Sequence, residues 1–142
     1  MRVLGIDPGL RVCGYGCLDV SGGSYTLVEA GVLKTDSSVA MEVKLNSIAE
    51  DIKQILEKLS PEVVAVEELY SHYAHPRTAI LMGHARGVIL QKCAEAGIGV
   101  RSFSATRIKK SVTGNGRASK EQVQRSIPVS YTHLTLPTTP YV

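Results

Sequence analysis

The stretch Val63-Val64-Ala65-Val66-Glu67-Glu68 is a short unbroken apolar run that ends in two acids. A run of this kind is typical of a central strand covered on both faces of a sheet. Before it, residues 45–59 place apolar side chains at helical spacing with charged residues between them, which predicts an amphipathic helix. After it, Pro76 can open a second helix that reaches about Ala96. A buried strand between two helices predicts an α/β fold.

Further strands are predicted on both sides of this helix–strand–helix unit. Alternating or apolar segments bounded by turn residues predict strands over residues 2–7, 12–20, 25–35 and 98–103. Short helices are predicted near Thr106 and from Ser119 onward, each with a hydroxyl side chain that can cap it. The order of elements predicts a mixed five-stranded sheet flanked by helices, in which helical crossovers join the later strands.

The composition is that of one folded domain. The chain has 142 residues, of which 44% are hydrophobic and 20% charged, values that argue against a wholly disordered protein. No apolar run approaches the length of a membrane span, and the acid at Asp7 interrupts any signal-like segment. Cys13, Cys17 and Cys93 form an odd set without a CxxC pair, so we expect reduced thiols. We therefore expect a cytoplasmic protein with no membrane association.

The charge is distributed unevenly along the chain. The formal net charge is +3, yet residues 1–100 hold nine basic against twelve acidic side chains. Residues 101–125 hold seven basic side chains, opposed only by Glu121. A segment with so large an excess of positive charge suggests an anionic partner such as nucleic acid. The alternative is a helix face that is exposed to solvent.

Two acids follow strands that are predicted to be neighbours. Asp7 ends the first strand and Glu67 ends the apolar run. Sites in such sheets form outside the carboxyl ends of the strands, where side chains on adjacent strands lie about 4.8 Å apart. Two carboxylates so close resist joint ionisation unless a cation lies between them, which favours a hard divalent ion. Because side chains alternate between the faces of a strand, only one of Glu67 and Glu68 can join Asp7, and we choose Glu67. The alternative is a turn-capping Asp7 beside solvent-facing acids.

The composition changes abruptly after Arg125. Residues 126–142 contain no charged side chain, three of the six prolines and four threonines. The prolines would interrupt a helix that continued from Ser119. This tail could be flexible or an edge strand, and we favour a third interpretation, in which the tail is foreign to the rest of the sequence. We thus expect one domain over residues 1–125, incomplete at its C-terminus, and an uncharged tail over residues 126–142.

A set of motifs gives the chain a family resemblance. The motifs, in chain order, are Gly5-Ile6-Asp7-Pro8-Gly9, Gly14-Tyr15-Gly16, Val66-Glu67-Glu68-Leu69-Tyr70, Gly83-His84-Ala85-Arg86-Gly87, Ala105-Thr106-Arg107-Ile108-Lys109-Lys110, Gly114-Asn115-Gly116 and Lys120-Glu121-Gln122-Val123-Gln124. Over residues 1 to about 125 the sequence resembles the RuvC family of Holliday-junction resolvases. The resemblance implies an RNase H-like fold and a homodimer that cuts paired strands of a four-way DNA junction in recombination and repair. It also implies dependence on Mg²⁺, with two ions per active site in a complete family member, and the junction branch-migration complex as a partner.

The resemblance also implies roles for individual residues. Asp7 and Glu67 match the first two metal-binding carboxylates and are the catalytic candidates. Tyr70 falls where the family has an aromatic side chain that can stack on a base opened at the crossover. Basic residues match or accompany positions that contact the DNA backbone, with Lys109 and Lys120 nearest the scissile phosphate. The other candidate DNA-binding residues are Arg107, Lys110 and Arg117.

The sequence departs from the family after Glu121, beyond which it has no Asp or Glu. The family places its remaining acidic ligands on one further helix, so we expect a truncated C-terminal helix and an incomplete metal site. His133 is not assigned to the missing role. The alternative function is a junction-binding protein without catalysis. A third interpretation, an ATP-using relative of actin and sugar kinases, is disfavoured because 142 residues leave no second domain to close over a nucleotide.

Overall fold

A computed structural model describes residues 1–69 and 75–104 of the chain. The elements in these ranges, in chain order, are β1 (Arg2–Asp7), β2 (Val12–Ser21), β3 (Ser24–Lys34), α1 (Met41–Leu59), β4 (Val63–Glu67), α2 (Pro76–Glu95) and β5 (Gly99–Phe103). Each corresponds to an element expected from the sequence, with ends that differ by a few residues. The helices predicted near Thr106 and from Ser119, and the tail over residues 126–142, lie outside the described residues.

The strands form one mixed sheet in the order β3-β2-β1-β4-β5. The first three strands pair antiparallel, whereas β4 runs parallel to both β1 and β5. Parallel neighbours cannot be joined by a tight hairpin, so each needs a crossover, and α1 and α2 supply the two crossovers. The mixed five-stranded sheet predicted from the sequence is confirmed. This topology brings the carboxyl ends of β1, β4 and β5 to one edge of the sheet.

The hydrophobic core lies between the sheet and the two helices. Side chains that alternate along β1 and β4 point into it, so Leu4, Ile6, Val64 and Val66 are buried. On the other face of β4, Val63 and Ala65 are only half-buried. The sequence predicted a strand covered on both faces, and among the described elements α1 and α2 lie over one face of β4.

The helix ends follow from local sequence. Ser60 adopts a left-handed conformation with φ 47°, its backbone N–H donates to the carbonyl of Leu56, and Pro61 follows. Helix α2 begins at Pro76, where a missing N–H costs nothing, and Gly97 takes a φ of 72° just beyond its end. These two stops direct the chain from each helix straight into the next parallel strand.

All three cysteines are free, as expected from the sequence, and they are buried in the hydrophobic core. Among the described residues, neither helix combines the length and the apolar character needed to span a bilayer.

Candidate active site

Asp7 is the last residue of β1, and its exposed side chain stands at the start of a tightly held turn. The thiol of Cys13 donates to the carbonyl of Gly9 at 2.9 Å and accepts from the N–H of Gly9 at 3.4 Å. The hydroxyl of Thr35 donates to the carbonyl of Leu10 at 2.6 Å. The backbone after Asp7 is therefore held by Cys13 of β2 and by Thr35, the residue that follows β3.

Glu67 is the last residue of β4 and is half-buried. The parallel register pairs Ile6 with Val66, so Asp7 and Glu67 are the next pair along, and they emerge on the same face of the sheet. The structure thus brings together the two acids that the sequence singled out. Glu68 is exposed, and its backbone N–H donates to the carbonyl of Phe103 at 2.8 Å.

Asp7 and Glu67 line one open cavity of about 410 Å³ at this edge of the sheet. Glycines occupy the positions next to the acids, since Gly5 pairs with Gly16 and Gly14 pairs with Asp7. Because glycine has no side chain, the walls of the cavity are low beside the two acids. A substrate can consequently approach the backbone of β1 and β2 closely.

Two residues near the acids were not predicted from the sequence. Phe103, at the end of β5, lines the cavity beside Glu67, its register partner. The alternation of side chains along β5 could have predicted that Phe103 faces the cavity. Arg86 of α2 donates to the backbone carbonyl of Glu67, a long-range contact that no sequence spacing reveals.

Burial raises the pKa of the Cys13 thiol, and the nearby negative charge of Asp7 acts in the same direction. Cys13 thus stays protonated at neutral pH and serves the turn as a thiol donor.

The donor set at the cavity suits a hard divalent cation. The carboxylates of Asp7 and Glu67 offer oxygen ligands, and water or phosphate oxygens can complete the coordination shell. Within residues 1–69 and 75–104, no group of three or more His, Cys, Asp or Glu side chains is placed to hold a metal together. The other candidate site residues, Tyr70, Arg107, Lys109, Lys110, Arg117 and Lys120, lie outside the described residues.

Two further cavities, of about 500 and 640 Å³, lie on the surfaces of the helices. Both of these cavities are larger than the cavity at Asp7, so volume alone does not identify the functional site. In the smaller of the two, Lys92 pairs with Glu95 at 3.3 Å, an arrangement typical of a solvated helix surface. The two acids at neighbouring strand ends favour the cavity at Asp7.

Comparison with known proteins places the chain in one family. The family model for "Crossover junction endodeoxyribonuclease RuvC" matches residues 3–140. The chain is 45% identical over 125 residues to the crossover junction endodeoxyribonuclease RuvC of Rhodopirellula baltica, covering 88% of this chain and 70% of that protein. It is 39% identical over 127 residues to the RuvC of Bordetella avium, covering 89% of this chain and 70% of the relative.

A solved structure extends the similarity to three dimensions. T. thermophilus RuvC in complex with a Holliday junction substrate superposes with a TM-score of 0.82 at 32% identity, covering 89% of this chain and 77% of the other. The RNase H-like α/β fold expected from the sequence is therefore confirmed. The chain belongs to the RuvC family of crossover junction endodeoxyribonucleases.

Proposed function

We propose that this protein is a divalent-cation-dependent endonuclease that cuts four-way DNA junctions by paired strand incision in recombination and repair. The observation that carries the proposal is the placement of Asp7 and Glu67 in one cavity of a RuvC-family chain. A relative at 32% identity is known in complex with a Holliday junction substrate, which supports junction DNA as the ligand.

Asp7 and Glu67 are proposed to hold Mg²⁺, and a complete site would take two such ions. When bound, the cation supplies Lewis-acid chemistry that polarises the scissile phosphate. Asp7 and Glu67 orient it, and Lys109 or Lys120 stabilises the negative charge that develops on the phosphate. Two carboxylates can hold one hydrated ion, whereas fixing two ions requires additional oxygen ligands.

The basic segment over residues 101–125 is proposed to grip the phosphate backbone through Arg107, Lys110 and Arg117. Tyr70 is proposed to stack on a base opened at the crossover. The basic segment supports the contacts to the phosphate backbone because it has seven basic side chains and one acid, and such density favours binding to a polyanion.

A junction with two-fold symmetry requires two equivalent cutting sites, so the active species is proposed to be a C₂ homodimer. The domain that forms it would span residues 1–125, with the junction branch-migration complex as its cellular partner. Sedimentation of the free chain, and of the chain with a synthetic junction, would measure the proposed dimer directly.

The deciding experiment is nicking of a labelled synthetic four-way junction with Mg²⁺ or with EDTA. Asp7→Asn and Glu67→Gln are each expected to lower the cleavage rate by at least about 100-fold, because each removes an anionic ligand. The matched control is Glu68→Gln, the adjacent exposed acid, which is expected to keep the parent rate. Equal cleavage by the parent, Asp7→Asn and Glu67→Gln would reject the proposal.

A second candidate is a junction-binding protein without catalysis. It is favoured by the basic segment over residues 101–125, because binding to the phosphate backbone requires only positive charge and no metal site. Junction gel shifts in EDTA, with no cleavage in Mg²⁺ at any enzyme concentration, would select this candidate over the nuclease.

A further inference from the structure

Arg86 connects helix α2 to the strand that carries Glu67. Its Nε donates to the backbone carbonyl of Glu67 at 3.3 Å, and its Nη2 donates to the hydroxyl of Ser102 at 2.7 Å. Ser102 lies on β5 opposite Val66, whose buried side chain identifies this as the helix-covered face. Arg86 therefore reaches the ends of β4 and β5 from the face opposite the cavity.

Leu69, two residues beyond Glu67, also lies beside α2. Gly83 precedes Arg86 by three positions, so the two share one side of the helix. A Cβ built on Gly83 would lie 3.7 Å from Cδ1 of Leu69, which places the Leu69 side chain directly over this glycine. The N–H of Glu68 donates to the carbonyl of Phe103 at 2.8 Å. Glu67 thus lies within a short segment that is held by α2 and by β5.

We infer that Arg86 is a positioning residue for Glu67, an assignment that rests on the proposed role of Glu67 as a metal ligand. Arg86 acts on the backbone of Glu67, so it sets where the carboxylate emerges without touching the substrate. The planar guanidinium is suited to this task because its fork reaches two acceptors on two strands at once. Lysine, with a single ammonium group, can replace only part of this geometry.

A purely electrostatic role for Arg86 predicts the opposite effect on metal binding. Removing a cation near two carboxylates should strengthen their attraction for a divalent ion. A positioning role predicts weaker metal binding, because the backbone that carries the Glu67 carboxylate is no longer held in place. The sign of the change therefore separates the two explanations.

The first test measures the strand end itself and needs no metal. Amide hydrogen exchange by NMR is compared in the parent and in Arg86→Ala. The protection of the Glu68 amide against exchange is expected to fall about 10-fold, beyond any change in overall stability. The reason is that its hydrogen bond to the Phe103 carbonyl lies next to the Glu67 carbonyl, which Arg86 no longer holds. Arg77→Ala, which removes the same charge from an exposed position of α2, is expected to leave this amide unchanged. An unchanged Glu68 amide in Arg86→Ala would overturn the inference.

The second test measures Mn²⁺ binding by the electron paramagnetic resonance signal of the free ion. Arg86→Ala is expected to weaken binding by about 10-fold, Arg86→Lys by less, and Arg77→Ala not at all. Equal or tighter binding in Arg86→Ala overturns the positioning role. If the parent binds no Mn²⁺, the proposed metal site fails, and the exchange result alone then decides whether Arg86 positions the strand end.

Ser102→Ala provides a milder variant should Arg86→Ala fold poorly. It removes one acceptor of the guanidinium and leaves the bond to the Glu67 carbonyl in place. A smaller loss of Glu68 protection in the same direction is expected. No loss in this variant, with full loss of folding in Arg86→Ala, would assign Arg86 to general stability instead.

Discussion

The two ends of the sheet use charged side chains in different ways. At the amino end, the guanidinium of Arg2 donates to both carboxylate oxygens of Asp19, at 2.9 and 3.1 Å. It also donates to the carbonyl of Leu59 at 2.8 Å, while the backbone of Arg2 accepts from the N–H of Glu62 at 2.9 Å. One side chain there joins β1, β2 and the connection from α1 to β4.

At the carboxyl end, the hydrogen bonds in the structure fix the backbone beside the acids. Cys13 holds Gly9 in the turn after Asp7, and Arg86 holds the carbonyl of Glu67. The two acids themselves line the cavity.

The comparison distinguishes a carboxylate that joins two strands, Asp19, from two carboxylates that line a cavity, Asp7 and Glu67. A carboxylate paired with an arginine of its own chain is committed to that contact, as Asp19 is. A carboxylate that holds a cation needs a fixed origin and an open approach, and the bonds from Cys13 and Arg86 to the backbone supply the first of these beside Asp7 and Glu67. Substitutions at the carboxyl end should therefore weaken metal binding, whereas substitutions at the amino end should change stability alone.

The largest effect is expected for Gly9→Ala, at the carboxyl end. A Cβ on Gly9 would overlap the carbonyl oxygen of Val12, so the turn after Asp7 must open. We expect the free energy of unfolding to fall by about 3 kcal/mol, together with weaker Mn²⁺ binding. Urea denaturation followed by circular dichroism measures the first effect.

The matched control is Gly99→Ala at the amino end of β5, where a Cβ would meet no described heavy atom within 4 Å. Its expected change in the free energy of unfolding is below about 0.5 kcal/mol. If both alanine variants were equally stable, the turn after Asp7 would not be the rigid anchor described above.

The sequence predicted one end of the sheet better than the other. Asp7 and Glu67 could be placed together because both follow apolar strands, and strand alternation selected Glu67 over Glu68. Arg86 could not be placed, because its contact with Glu67 depends on how α2 crosses β4 and β5, which is a property of tertiary packing. The pairing of Arg2 with Asp19 was missed for a related reason. Register decides which residues face each other across β1 and β2, and no single strand encodes it.

The second prediction concerns the helix-covered face between the two ends. The phenol of Tyr15 donates to Glu29 at 2.9 Å, and Lys58 pairs with the same carboxylate at 2.6 Å. Burial, followed by the bond to Glu29, raises the pKa of Tyr15 to about 12. The folded state therefore favours the neutral phenol, and this stability is present below pH 10 and lost as the pH rises towards 12.

Tyr15→Phe is expected to lower the free energy of unfolding by about 1 kcal/mol at pH 7, through loss of one hydrogen bond. The difference between parent and variant should shrink above pH 10, because the phenol of the unfolded parent ionises there while the folded phenol, with a pKa of about 12, stays protonated. Urea titrations from pH 7 to pH 11 would measure this. A difference that grew with rising pH would contradict the proposed hydrogen bond.

The smallest effect is expected for Asp19→Asn, at the amino end. The hydrogen bond from Arg2 lowers the pKa of Asp19 below its usual value of 3.8, so this pair stabilises the fold above pH 3.8 and loses its contribution on further acidification. The variant should have a slightly lower Tm at neutral pH, with the gap closing below pH 3.8. The gap is small because water and salt screen an exposed ion pair.

The same variant tests whether the two ends are independent. Asp19→Asn is expected to bind Mn²⁺ with the parent affinity, because Asp19 pairs with Arg2 at the opposite end of β1 from Asp7. Weakening equal to that of Arg86→Ala would mean that the whole sheet, and not the local backbone anchors, sets the position of the acids. The functional site would then have no separate support, and the contrast between the two ends would be lost.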